Sequence, residues 1–291
     1  MSKHDNPILR YHLFGLILNR WKRQPVLYLT VAVGIALVYV LIYQIFHSYG
    51  SSIDSVLNLC VLVVCFAAPL MAYNLFSLEY ERHTWESLAL TRLSAKEILW
   101  GKWGAAVVRV GALTLLFVPM LMTRGTVSIQ SFTSPAPATE FNAYVFFASL
   151  ALLLSWGMLL SSLGMWLSFK LKRTLSTASI LYAGQVFVLI LLPMLNAIFS
   201  GGDSRFYYDR LSTVSNFWEG LIWWGSTLMS NDSVFVLNPF FVATELGGMG
   251  MGWRAEPYLV GWGYVQSVIY FALSLLFAGL TYRGLKIAWR K

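Results

Sequence analysis

Glu79, Glu81 and His83 stand at alternate positions in one charged stretch, Glu79 to Lys102. Two carboxylates and an imidazole this close would suit either a metal ion or a set of ion pairs. Ion pairing is the preferred reading: Glu79, Glu81 and Arg82 would hold a short helix against its neighbours, with a solvated charge cluster at headgroup level as the alternative. His4, His12 and His47 are scattered, and no H-E-x-x-H occurs. Nothing therefore assembles the carboxylate pair, metal cluster or nucleophile–base pair that a membrane-embedded enzyme requires. No Gly-x-x-x-x-Gly-Lys-Ser/Thr loop is present, and Gly101-Lys102 has no glycine loop before it. The chain is expected neither to hydrolyse ATP nor to bind a metal or cofactor itself. Cys60 and Cys65 give neither a disulfide framework nor metal spacing, and packing is their expected role.

The elements that must position this stretch are membrane spans. The chain has 291 residues, 57% of them hydrophobic, 16% aromatic and only 12% charged, with a mean hydropathy of +0.63. A soluble domain carries about twice that charged fraction. Crossing a hydrocarbon layer of about 30 Å takes roughly 20 apolar residues as helix. Six runs meet that length: Val26–Phe46, Ser55–Phe76, Trp103–Thr123, Tyr144–Phe169, Thr174–Phe199 and Gly261–Tyr282. The expected fold is an all-α membrane protein with six transmembrane helices, a single transmembrane domain over 1–291. Alternating segments of about ten residues, the mark of an outer-membrane barrel, are absent.

Lys and Arg cluster before the first run, between the second and third, between the fourth and fifth, and after the sixth. That places both termini in the cytoplasm, and the net charge of +8 suits anionic lipid headgroups rather than nucleic acid. No cleavable signal peptide is evident. Residues 1–25 contain an amphipathic, interfacial helix, Pro7–Arg23, ended by Pro25. Residues 200–260 read as a long aromatic loop on the extracytoplasmic side, none of whose runs spans cleanly; Leu237–Trp253 and its neighbours read as re-entrant or interfacial pieces. The loop with Ser134, Pro135 and Pro137 reads as an exposed linker.

Inside the spans, Gly157, Ser161, Gly164 and Ser168 share one helical face, suited to close packing within the subunit or between subunits. Pro69, Pro119 and Pro193 should kink or open their helices. Tyr182, Gln185 and Asn196 are the polar groups of the fifth run; interhelical hydrogen bonding and a lining role in a substrate path are both open to them.

The charged stretch, 79–102, has its own grammar. Thr84 is a good N-cap, and Glu86 falls in the first turn after it, where the helix dipole favours a carboxylate. Trp85, Leu88, Ala89 and Arg92 follow i, i+3, i+4, i+7 spacing, giving a two-turn helix too short to persist unpacked. Ser94-Ala95-Lys96-Glu97 is a capping box that starts a second helix. This helix runs through Gly101 and Lys102 into the third span.

In this stretch the chain resembles the permease subunits of type-2 ABC exporters. The resemblance rests on Glu79, Glu81, Thr84, Glu86, Leu88, Leu90, Leu93, Glu97, Gly101 and Lys102 in that order, between the second and third of six spans. His83 departs from the small residue usual before the Thr. Elsewhere the likeness is architectural. The resemblance implies two six-span subunits, identical or different, pairing around a central path. Each would seat a coupling helix, with Thr84, Trp85, Glu86, Leu88 and Arg92, in a separate cytoplasmic ABC ATPase that binds ATP and Mg. Trp85 and Leu88 are the expected docking contacts. The expected location is the plasma membrane, the inner membrane of a bacterium. A secondary transporter is the alternative, yet Asp54 lies at a span edge and no Asp, Glu or His lies mid-span. For a channel, no charged pore ring can be read.

Overall fold

The computed structural model describes residues 53–85, 93–124, 126–129, 138–141, 143–199, 238–248 and 257–288, with scattered positions of 26–44. In chain order the elements are α1 (Ile53–Ala72), α2 (Ser77–Glu81), α3 (Ala95–Arg124), β1 (Thr126–Ile129), β2 (Ala138–Phe141), α4 (Ala143–Leu171) and α5 (Thr174–Val186). A π-helical turn (Phe187–Leu191) follows, then α6 (Leu192–Phe199), α7 (Pro239–Gly248) and α8 (Pro257–Ala288). Among the described residues, five helical segments are long and apolar enough to cross a membrane: Val56–Glu81, Ala95–Met122, Ala143–Leu171, Thr174–Leu195 and Gly263–Ala288. At 1.5 Å per residue, the 29 residues of α4 extend about 44 Å, ample for the ~30 Å hydrocarbon layer. The protein is thus a helical integral membrane protein. Val26–Phe46 is helical at every described position, but much of it lies outside the described residues, as do Pro7–Arg23 and 200–237.

Helix α4 is the centre of the bundle, packed by α1, α3, α5 and α8. Its small residues make this possible. A Cβ on Gly157 would meet Val110 Cγ1 at 2.5 Å, and one on Gly164 would meet Leu181 Cδ2 at 3.2 Å and Ala72 Cβ at 3.4 Å. The face carrying Gly157, Ser161, Gly164 and Ser168 therefore packs within the chain. One apolar core joins Leu57, Val61 and Val64 of α1 to Leu152, Leu153 and Leu160 of α4. A second, where α1 gives way to α2, joins Ala72 and Phe76 to Ile98, Met165 and Leu285. Between helices runs a buried polar chain: Trp103 Nε1 donates to Ser162 Oγ (2.8 Å), Ser162 and Ser274 share a hydrogen (2.8 Å), and Ser274 Oγ donates to the Met158 carbonyl (3.2 Å). Such bonds meet polar groups that lipid cannot.

Two features differ from, or refine, the sequence reading. The expected linker between the third and fourth spans contains a short antiparallel ladder, with Thr126 opposite Phe141 and Ile129 opposite Ala138; the bundle itself is helical. Pro135 and Pro137, which argued for a linker, fall between the strands rather than in them. In 200–260, α7 is a ten-residue helix, about 15 Å long, too short to cross. Asn238 starts it as an N-cap, its Oδ1 accepting from Phe240 N at 3.0 Å, with Pro239 in the first helical position. Val242, Ala243 and Leu246 are buried, and Asn58 Nδ2 donates to Thr244 Oγ1 at 3.0 Å, so α7 is docked on the bundle. Asn238 Nδ2 also donates to Leu189 O (3.1 Å). In an α-helix that carbonyl would bond the N–H of residue 193, which Pro193 lacks.

Candidate coupling site

The second span does not run straight into the charged stretch. Helix α1 stops at Ala72, residues 73–76 form a turn, and α2 begins at Ser77. Leu75 and Phe76 are buried, so the backbone groups freed by the break need partners other than water. They find them on other helices. Ser168 Oγ accepts from Phe76 N (3.0 Å) and Ser77 N (2.7 Å). Lys102 Nζ donates to the Leu75 carbonyl, and Arg109 Nη1 donates to the Met71 carbonyl at 3.3 Å.

Lys102 is fully buried. Its ammonium lies 2.5 Å from Glu79 Oε1 and 4.4 Å from the centre of the Phe76 ring. Burying an ammonium is unfavourable unless it is paired and hydrogen-bonded, and carboxylate, carbonyl and ring face together meet that need. Removing one member of a buried pair typically costs about 3–5 kcal/mol.

Glu81 turns the other way. Its exposed carboxylate accepts from Thr174 N (2.7 Å) and Thr174 Oγ1 (2.8 Å), a negative group on the N-terminus of α5. The five-residue α2 is thus tied to three spans, by Glu79 to α3, by Ser77 to α4 and by Glu81 to α5. The Arg82 side chain is exposed, and no ion pair to it forms among the described residues.

The end of α2 explains the residue at 83. His83 N donates to Tyr80 O (3.2 Å) and Thr84 N to Glu79 O (2.9 Å), the two bonds of a Schellman motif. His83 occupies its left-handed position with φ 54°, where glycine is the least strained residue. Thr84 Oγ1 also reaches Glu79 O at 3.3 Å, so Thr84 closes α2 as it begins the next segment.

Trp85 is helical and half-buried. Its ring stacks on Tyr80 with centroids 4.6 Å apart and meets Phe76 and Phe169 at 6.3 Å. Lys172 Nζ lies 4.9 Å from the centre of the Tyr80 ring. Trp85, expected as a docking contact, thus packs against its own chain. Glu86, Leu88 and Arg92 lie outside the described residues. The capping box is formed: Ser94 N donates to Glu97 Oε2 (2.8 Å) and Glu97 N to Ser94 Oγ (3.3 Å), and α3 follows without interruption through Lys102.

Glu79, Glu81 and His83 are drawn apart by these contacts, and among the described residues no group of three His, Cys, Asp or Glu is placed to hold a metal ion. Of the fifth-span residues, Tyr182 Oη donates to the Phe66 carbonyl at 2.9 Å, joining α5 to α1. Gln185 is buried, and its Nε2 has no partner among the described residues. Asn196 lies in α6, with its side chain outside the described set. Sequence reasoning missed three contributors: Arg109, a cation inside a span, Ser168 as an acceptor for the break, and Thr174 as the partner of Glu81. Arg109 alone carried a signal, since ionisable residues within spans are rare and usually functional.

Comparison with protein-family models and with curated proteins gives no match for this chain.

Proposed function

We propose that this chain is the membrane-spanning permease subunit of an ATP-driven exporter of the type-2 ABC class. It pairs with a second permease subunit and takes its energy from a separate ABC ATPase, which holds ATP and Mg on the cytoplasmic side of a bacterial plasma membrane. The observation that carries this reading is the construction of 72–85 and 93–102: a helix break, a short helix tied to three spans, a Schellman turn and, further on, a capping box that opens the third span. A push on the docking stretch reaches α2, and through it α3, α4 and α5 together. Switching a transport path needs contacts that differ between its two states, and a docking stretch linked to several spans can bias them all.

Within this reading, Glu86, Leu88 and Arg92 meet the ATPase, with Thr84 at the head of the docking helix. Trp85 anchors that helix to the bundle through Tyr80. Tyr182, Gln185 and Asn196 border the substrate path. The test is nucleotide chemistry. The purified chain alone should neither bind nor hydrolyse ATP, and the chain with its ABC ATPase should hydrolyse it. Transport without any ATPase would instead identify a secondary transporter.

A further inference from the structure

A break within a buried helix leaves carbonyl and N–H groups without helical partners. Here side chains of two other spans supply them, and two are cations of one helix. Lys102 and Arg109 are seven residues apart, roughly two turns and one face of α3, and they bond Leu75 O and Met71 O of the same broken segment.

We propose that Tyr73–Phe76 is a hinge and that Lys102 is its positioning residue, setting the angle at which α2 and the docking stretch leave the bundle. The contacts of Lys102 straddle the break. Leu75 and Phe76 lie in the turn, and Glu79 lies beyond it in α2. Rotation of α2 about the turn therefore separates Glu79 from a buried ammonium. Ser168 holds the same point from α4 through Phe76 N and Ser77 N. A lysine serving only to fill space would be replaceable by methionine without moving α2. This inference rests on the permease reading only for what the hinge serves.

The test is a distance in the full chain alone, reconstituted in lipid nanodiscs. Spin labels go on exposed Arg82, beyond the hinge, and exposed Lys286 of α8. The buried Cys60 and Cys65 are replaced by Ala and Ser, and labelled chain is diluted with unlabelled chain. The parent should give one narrow distance peak, and Lys102→Met should lose it. Glu79→Gln/Lys102→Met removes both charges and so relieves the unpaired carboxylate. That variant should recover parental membrane level and thermal stability yet still lack the narrow peak. A narrow parental peak in the double variant would overturn the proposal. If the double variant does not accumulate, Ser168→Ala, which keeps Lys102 and Glu79, decides: a broadened peak is expected, and an unchanged one sinks the hinge. No ATPase enters the measurement, so its failure leaves the permease reading standing, and failure to find an ATPase leaves the distance result standing.

Discussion

The carboxylate of Glu81 accepts hydrogen bonds from both the backbone N and the Oγ1 of Thr174, at 2.7 and 2.8 Å. The last residue of α2 thereby holds the first residue of α5, although 93 positions separate them. Glu81→Ala should leave the bundle folded and speed amide hydrogen exchange at Thr174 and Leu175. Thr174→Val, which loses only the Oγ1 bond, should do so to a smaller degree, and the double variant should match Glu81→Ala alone, because residues acting through one contact are not additive. Additive effects on exchange would show that the two residues act separately.

His83 sits at φ 54° in the Schellman turn. A left-handed conformation costs a non-glycine residue roughly 1–2 kcal/mol. His83→Gly should raise the thermal stability of the detergent-solubilised chain by roughly 1 kcal/mol. His83→Val, β-branched and worse placed there, should lower it. Thermal unfolding of the three proteins in one detergent checks the order Gly, His, Val.

Gly157 has no room for a side chain, since a Cβ would meet Val110 Cγ1 at 2.5 Å. Gly157→Ala should destabilise by about 1–3 kcal/mol, the usual cost of overpacking. Val110→Ala in the same chain should recover part of that loss by clearing the contact. Thermal unfolding of the single and double variants reads it directly, and equal losses with and without Val110→Ala would place the strain elsewhere.

The parts of this architecture legible in the sequence are those set by neighbours. The capping box is read from Ser94 and Glu97 because its two bonds close over three residues. The spans are read from apolar length, and Leu237–Trp253 is read as a piece too short to span, though not as the helix α7. What is not legible depends on partners distant in sequence. Nothing near Glu81 announces Thr174, and nothing near Phe76 announces Ser168. The inward turn of Trp85 was equally hidden: its spacing with Leu88 marks an apolar stripe but does not say which surface the stripe covers. Arg109 was overlooked for another reason, because charge counted in the flanks of spans passes over a cation within one. The β1–β2 ladder is short, and the prolines between its strands resemble those of a plain linker.

Topology follows from the Lys and Arg distribution. Single cysteines at Ser134 and Gly248, in a chain without Cys60 and Cys65, should react with a membrane-impermeant reagent applied from outside. A cysteine at Ser87 should react only after the membrane is opened. Labelling of Ser87 from outside would invert the chain and remove the docking stretch from any cytoplasmic partner.

The central claim is that a separate ATPase docks on the stretch after α2. Its most direct test is purification of the tagged full chain from its native membrane in mild detergent, with identification of what accompanies it. Truncating an interface anchor often costs 2 kcal/mol or more, about a 30-fold loss of affinity, since 1.4 kcal/mol is tenfold. An ABC ATPase should accompany the parent chain in equimolar amount. Leu88→Asp should lose that ATPase, at unchanged membrane level and unchanged thermal stability of the chain. An ATPase retained by Leu88→Asp, or a pure parent chain that arrives with none, would contradict it.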